Sequence, residues 1–150
     1  MTLRSHVIQA TVGSAILAPF LGAKTIFFFV SMILIDVDHY FTYIVVCRRF
    51  DIRGLFQFYD FIFKNKESVY GFCLFHTAEV FLLLFILGFW SDYFWIILFG
   101  FLVHFIFDSY YLYVHNVFFS RAFSIIEYIS RKKKSIKGYP ILPEGFWEKA

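Results

Sequence analysis

Apolar side chains run along this chain in four long stretches, at about 3–21, 25–46, 69–90 and 93–118, separated by short polar punctuation. Roughly 20 apolar residues is the length an α-helix needs to cross the hydrocarbon core of a bilayer. Spanning β-strands would instead show short alternating segments between turns, which this pattern lacks. The pattern predicts an all-α fold: an integral membrane four-helix bundle over 1–120, then a tail at 121–150. Lys24 marks a tight first connection and Ser91-Asp92 a tight third one. The middle connection, 47–68, is the longest, and within it the Phe-rich run Leu55-Phe56-Gln57-Phe58-Tyr59-Asp60-Phe61-Ile62-Phe63 is too short to span. It predicts a helix lying in the interface. Trp90, Tyr93, Phe94 and Trp95 read as an aromatic belt at one membrane surface.

Composition agrees. Of 150 residues, 60% are hydrophobic and 25% aromatic, with 24 Phe, and the mean hydropathy of +0.68 is far above that of a soluble domain. The first stretch resembles a signal peptide, but Pro19 lies inside its apolar core and the A-x-A cleavage pattern is incomplete, so it reads as a retained helix. Cys47 and Cys73 form no C-x-x-C pair and read as apolar filler.

Net charge is only +3, yet the basic residues are unevenly placed, nearly all of them at 48–66 and 121–149. Four spans put the N-terminus, the 47–68 connection and the tail on one side, and that side collects every Lys and Arg except Lys24. By the positive-inside rule it is cytoplasmic, which predicts a bacterial-type inner (plasma) membrane protein with both termini in the cytoplasm. The basic residues thus set topology and offer contacts to membrane lipids with anionic headgroups, and no nucleic-acid partner is expected.

Against this background Asp36-Val37-Asp38-His39 stands out, because ionisable side chains at membrane depth are unfavourable and normally face a partner, a cavity or an ion. His6, His76 with Glu79, and His104 with Asp108 are embedded similarly, and the topology places all of them in the cytoplasmic half. His76 and Glu79 are spaced i,i+3 and His104 and Asp108 i,i+4, so each pair shares a helix face. Asp38 is about 200° around an ideal helix from Asp36, which predicts either a distorted helix or a supporting role behind the ligands. His115, about 16 Å along the axis from His104, is left out.

Imidazole with carboxylate and no required thiolate suits zinc, manganese or iron. Eight candidate ligands, His6, Asp36, Asp38, His39, His76, Glu79, His104 and Asp108, exceed what one catalytic zinc takes, so two divalent ions are expected. Four carboxylates would balance their charge. Such a site activates water and grips both oxygens of a phosphoester, so hydrolysis is the expected chemistry, with Asp38 or Glu79 as general base.

His6 with Ser14-Ala15, Leu34-Ile35-Asp36-Val37-Asp38-His39, Phe75-His76-Thr77 and Gly100-Phe101-Leu102-Val103-His104-Phe105-Ile106-Phe107-Asp108-Ser109 resemble, in this order, the motifs of the membrane-bound metal-dependent hydrolases of the YdjM (LexA-regulated) type. The resemblance covers about 5–111. Ile35 replaces the proline of the second motif, and Gly71 and Phe72 stand where the third motif has His-Arg. It implies metal-dependent hydrolysis; the embedded position of the residues and the basic cytoplasmic loop make a phosphoester or ester of a lipid-like substrate the expectation. Two other classes compete: divalent-cation binding or transport without hydrolysis, disfavoured by the lack of polar residues in the outer halves of the helices, and a bis-histidine haem protein.

Overall fold

The computed structural model describes residues 3–64, 71–116, 118, 121–133 and 142–149, and these are helical with no β-strand among them. Helix α1 (Leu3–Leu21) ends at Gly22, whose positive φ of 55° allows the tight turn, and a 3-10 turn at Gly22–Lys24 leads into α2 (Thr25–Leu34). After a break at Ile35 and Asp36 the chain continues as α3 (Val37–Cys47), turns at the left-handed Arg48, and forms α4 (Ile52–Lys64). Then come α5 (Ala78–Gly88), α6 (Asp92–Val114) and α7 (Ile125–Lys133).

Helix α1 packs against α2, α2 against α6, and α6 against α5. Lys24 Nζ lies 3.9 Å from Asp92 Oδ2 and over the Tyr93 ring, so the α1–α2 and α5–α6 turns sit at the same end of the bundle. Between this end and the polar residues lies an apolar core of Ala10, Phe28, Met32 and Ile96. The α2–α6 contact is backbone-close at Gly100. A Cβ there would run into the Ser31 hydroxyl and lie 3.1 Å from the Phe28 carbonyl oxygen. That approach sets Asp36, just beyond α2, beside His104 and Asp108 of α6.

Two apolar runs are long enough to cross a membrane, the helical stretch Arg4–Cys47, folded back on itself at Gly22, and Asp92–Val114. Much of the outer surface is apolar, with Ile16, Phe20, Leu34, Leu82 and Ile106 exposed.

Three elements differ from the sequence expectation. The helix expected over 25–46 is broken at Ile35–Asp36, where the hydrogen bonds shorten to three-residue turns: Asp36 N–H donates to Ile33 O at 3.2 Å and His39 N–H to Asp36 O at 3.0 Å. Of the helix expected over 69–90, α5 keeps only Ala78–Gly88. Among residues 71–77, Cys73 and Thr77 are extended and Leu74–His76 form one 3-10 turn. This irregular backbone survives because its polar groups are met from elsewhere. Phe75 N–H donates to Asp38, Thr42 Oγ1 to Phe72 O, Ala122 N–H to Gly71 O, and Ala78 N–H to Phe123 O. Last, the tail is not separate from the helical domain, since its first residues thread against 71–78 and Phe146 and Trp147 pack on Phe61 and Tyr43.

The helix expected within 47–68 has its counterpart in α4. Its start is fixed by Asp51, which accepts from Arg49 Nε, from Gly54 N–H and from the Tyr43 hydroxyl. Arg49 first, then the Gly54 N–H, hold that carboxyl down at about 2. The α4 side chains divide, with Phe58 buried and Ile52 and Phe56 exposed.

Candidate metal centre

His6 comes from α1, Asp36 from the α2–α3 break, Asp38 and His39 from α3, His76 from the 3-10 turn, and His104 and Asp108 from α6. These residues, distant in sequence, converge. His6, Asp38, His76, His104 and Asp108 are buried, whereas the side chains of Asp36 and His39 are 17% and 29% exposed and mark the open edge.

The imidazoles are oriented by what their Nδ1 atoms meet. His104 Nδ1–H donates to the Met32 carbonyl oxygen at 2.8 Å; because a carbonyl only accepts, that nitrogen carries the proton and Nε2 carries the lone pair. His76 Nδ1–H donates to Asp38 Oδ2 at 3.2 Å, an oxygen that also accepts the Phe75 N–H at 2.9 Å. Asp38 therefore stands behind His76 and fixes its tautomer, as carboxylates commonly do for metal-binding histidines. The helix break and this supporting role together answer the 200° problem posed by its position in the sequence.

The Nε2 atoms then face carboxylate oxygens. Asp36 Oδ1 lies 3.3 Å from His104 Nε2, 3.3 Å from His39 Nε2 and 3.8 Å from His76 Nε2. Asp108 Oδ2 lies 3.8 Å from His76 Nε2 and 3.9 Å from His104 Nε2. The second oxygen of each aspartate looks the other way, toward His6 Nε2, at 3.6 Å from Asp36 Oδ2 and 3.5 Å from Asp108 Oδ1.

Lone pairs pointed at lone pairs repel unless a cation lies among them. Asp36 Oδ1, His76 Nε2 and His104 Nε2 are buried and have no hydrogen-bond partner among the described residues, a state avoided in native interiors. Asp36, His76, His104 and Asp108 offer four ligand atoms all within 4.8 Å of one another. Tetrahedral donors about 2.1 Å from a metal are about 3.4 Å apart, close to the 3.3–3.9 Å separations here. These buried groups can hold a metal ion.

Two expected members behave differently. Glu79, expected as a ligand or general base beside His76, is committed elsewhere: its Oε1 accepts from Ser124 Oγ at 2.6 Å and from Ile125 N–H at 3.0 Å, at the start of α7. The i,i+3 argument assumed one helix through both residues, and the extended Thr77 between them removes that premise. Asp38, the other expected base, has its Oδ2 occupied by the His76 Nδ1–H and Phe75 N–H. His115 remains apart, exposed, with Nδ1 bonded to Tyr111 O.

Two residues at the site were not expected. Cys73 Sγ is 3.3 Å from His39 Nδ1, and Asp38, His39 and Cys73 form a second close set of ligand atoms at the open edge. Arg121 is buried, and its Nη1 donates to Asp108 Oδ2 at 3.0 Å. Its one sequence signal is position: a lone guanidinium ahead of apolar Ala122-Phe123, ten residues before the basic run. The haem alternative meets a geometric obstacle. The His6 and His104 rings are stacked with centroids 4.2 Å apart, an arrangement that cannot address opposite faces of a macrocycle.

In comparisons with models of known protein families, with curated proteins and with solved structures, no match was found.

Proposed function

We propose that this chain is a membrane-embedded, metal-dependent hydrolase that cleaves a phosphoester or ester of a lipid-like substrate at the cytoplasmic face of a bacterial-type inner membrane. The carrying observation is the convergence of His76 Nε2, His104 Nε2 and Asp36 Oδ1, buried and without a hydrogen-bond partner among the described residues, with the remaining ring nitrogens already committed at His76 and His104. The motif resemblance to the YdjM-type hydrolases is part of this reading. So is a four-segment membrane arrangement, with the site at the end opposite the Lys24–Asp92 pair and both termini on the site's side.

In this reading Asp36, His76, His104 and Asp108 hold one divalent ion, zinc by the donor set. His6 and the opposite oxygens of the two aspartates hold a second. Such ions supply a water acidified toward neutral pH and a positive field for developing charge. The protein's own residues do the rest. Asp38 and the Met32 carbonyl lock two imidazoles in the tautomer that binds. His39, at the open edge between Asp36 and Cys73, is placed to carry a proton between the site and bulk water. The apolar core of Ala10, Phe28, Met32 and Ile96 closes the inner end of the site, which supports a closed catalytic pocket over a through-path for ions.

Elemental analysis of the detergent-purified chain beside Asp36→Ala and His104→Ala tests this reading, together with phosphatidate and nitrophenyl phosphate hydrolysis before and after chelation. Metal in the wild type, its loss in both variants, and activity that disappears with chelator and returns with zinc are expected. A metal-free wild type after zinc reconstitution would end it.

A further inference from the structure

Arg121 is carried to the centre by backbone pairing: it bridges Gly71, Ala122 N–H donates to Gly71 O at 3.0 Å, and Ala78 N–H donates to Phe123 O at 2.9 Å. Its side chain is 8% exposed and lies with the guanidinium carbon 5.7 Å from the centre of the Phe105 ring. A guanidinium has five N–H donors. Here Nη1 meets Asp108, while Nε and Nη2 are buried with no acceptor among the described residues. Nε and Nη2 form the side-on fork of the group, the edge that grips two oxygens of one carboxylate or phosphate. A buried cation with its bidentate edge unmatched among the described residues, and its third nitrogen on a carboxylate of the candidate centre, has the donor geometry that suits an anion.

Charge narrows the anion. At formal charges, counting histidines as neutral, Asp36, Asp38 and Asp108 against Arg121 leave two negative charges. Two divalent ions turn that into two positive charges, the complement of a phosphate monoester dianion. A phosphodiester carries half that charge, and a carboxylate has too few oxygens to meet both the ions and the fork. We infer that Arg121 binds the terminal phosphoryl group of a phosphomonoester substrate through its Nε–Nη2 edge, with Nη1 remaining on Asp108. The inference rests on the metal-dependent hydrolase reading and specifies its substrate class. Arginine in this position would also steady charge developing on the phosphoryl oxygens as the ester bond breaks.

The test is binding of inorganic phosphate to the zinc-loaded full chain in detergent, by calorimetry and by phosphorus NMR line-broadening, with zinc content measured on the same samples. Wild type is expected to bind phosphate. Arg121→Gln is expected to keep its zinc and weaken phosphate binding by about 30-fold, the loss of a bidentate charge-assisted contact. Arg121→Lys, which keeps a cation beside Asp108 without the fork, should weaken it by roughly tenfold and carries the test if the glutamine variant does not fold. Dimethyl phosphate, a diester, should bind weakly and equally to all three. Short-chain phosphatidic acid binding tighter than phosphate would place the phosphoryl group on a lipid, and equal binding would place it on a soluble compound; either supports the assignment. Zinc-loaded wild type that ignores phosphate, variants that bind it as wild type does, or variants that lose zinc would each overturn it while leaving the metal reading standing. A wild type that takes up no zinc defeats the metal reading instead.

Discussion

Replacing Asp38 separates the act of holding an ion from that of positioning a residue that holds it. In the structure the Asp38 carboxylate accepts two buried N–H bonds, from His76 Nδ1 at 3.2 Å and Phe75 N at 2.9 Å. Hydrogen bonds to a charged acceptor contribute about 1.5–3 kcal/mol each, so Asp38→Ala should lower the stability of the metal-free protein by up to about 3–6 kcal/mol. Metal affinity should fall by roughly 10–100-fold, as when a carboxylate behind a metal-bound histidine is removed. Asp38→Asn keeps an oxygen in the same place for both donors and loses only the charge, so it should recover most of the stability and much of the affinity. Competition titration against a chromogenic zinc chelator gives affinity and stoichiometry, and thermal unfolding of the metal-free protein gives stability. If Asp38→Asn instead abolished metal uptake, Asp38 would be a ligand and the orientation argument would be wrong. If Asp38→Ala bound metal as wild type does, the contact with His76 would have no consequence for the centre.

Three further outcomes are expected. Glu79→Gln should leave metal content unchanged while loosening the first turn of α7, visible as faster limited proteolysis within 121–133; loss of metal like that of His104→Ala would return Glu79 to the centre. Gly100→Val should drive a side chain into Ser31 and the Phe28 carbonyl, destabilise the protein by about 1–3 kcal/mol and weaken metal binding with it, whereas an unchanged melting temperature and metal content would show that α2 and α6 need no such close approach. Asp51, held down at about 2, stabilises the α3–α4 corner fully above the ordinary carboxylate range near pH 4 and loses that contribution as pH falls through about 2. Amide exchange in the first turn of α4 should therefore be faster in Asp51→Asn than in wild type at pH 6, and equal rates would refute the cap.

Much of the centre was legible because few residue types are tolerated inside an apolar run, and Asp36, His39, His76, His104 and Asp108 declared themselves by being there. Helix periodicity, however, misplaced whatever depended on a continuous helix. It grouped Glu79 with His76, although the extended Thr77 lies between them, and it left Asp38 on the wrong face, although the break at Asp36 turns it toward His76. The irregular backbone at 71–77 carried no signal in the sequence because its partners, Asp38, Thr42 and the residues after 121, are remote along the chain. Arg121 was hidden for the same reason. The motif comparison found Gly71 and Phe72 where His-Arg was expected, and in the folded chain the Arg121 backbone arrives next to Gly71 from fifty residues later.

That late arrival gives the centre a direction in time. His6 leaves the ribosome first, the three aspartates and the other imidazoles follow, and Arg121 comes last. Until the pairing of Arg121 with Gly71 forms, the growing chain presents Asp108 without the guanidinium that meets it in the folded protein. A product truncated before residue 121 would carry all the side chains of the candidate metal centre, yet would lack the guanidinium that meets Asp108 and the backbone that pairs with Gly71 and Ala78.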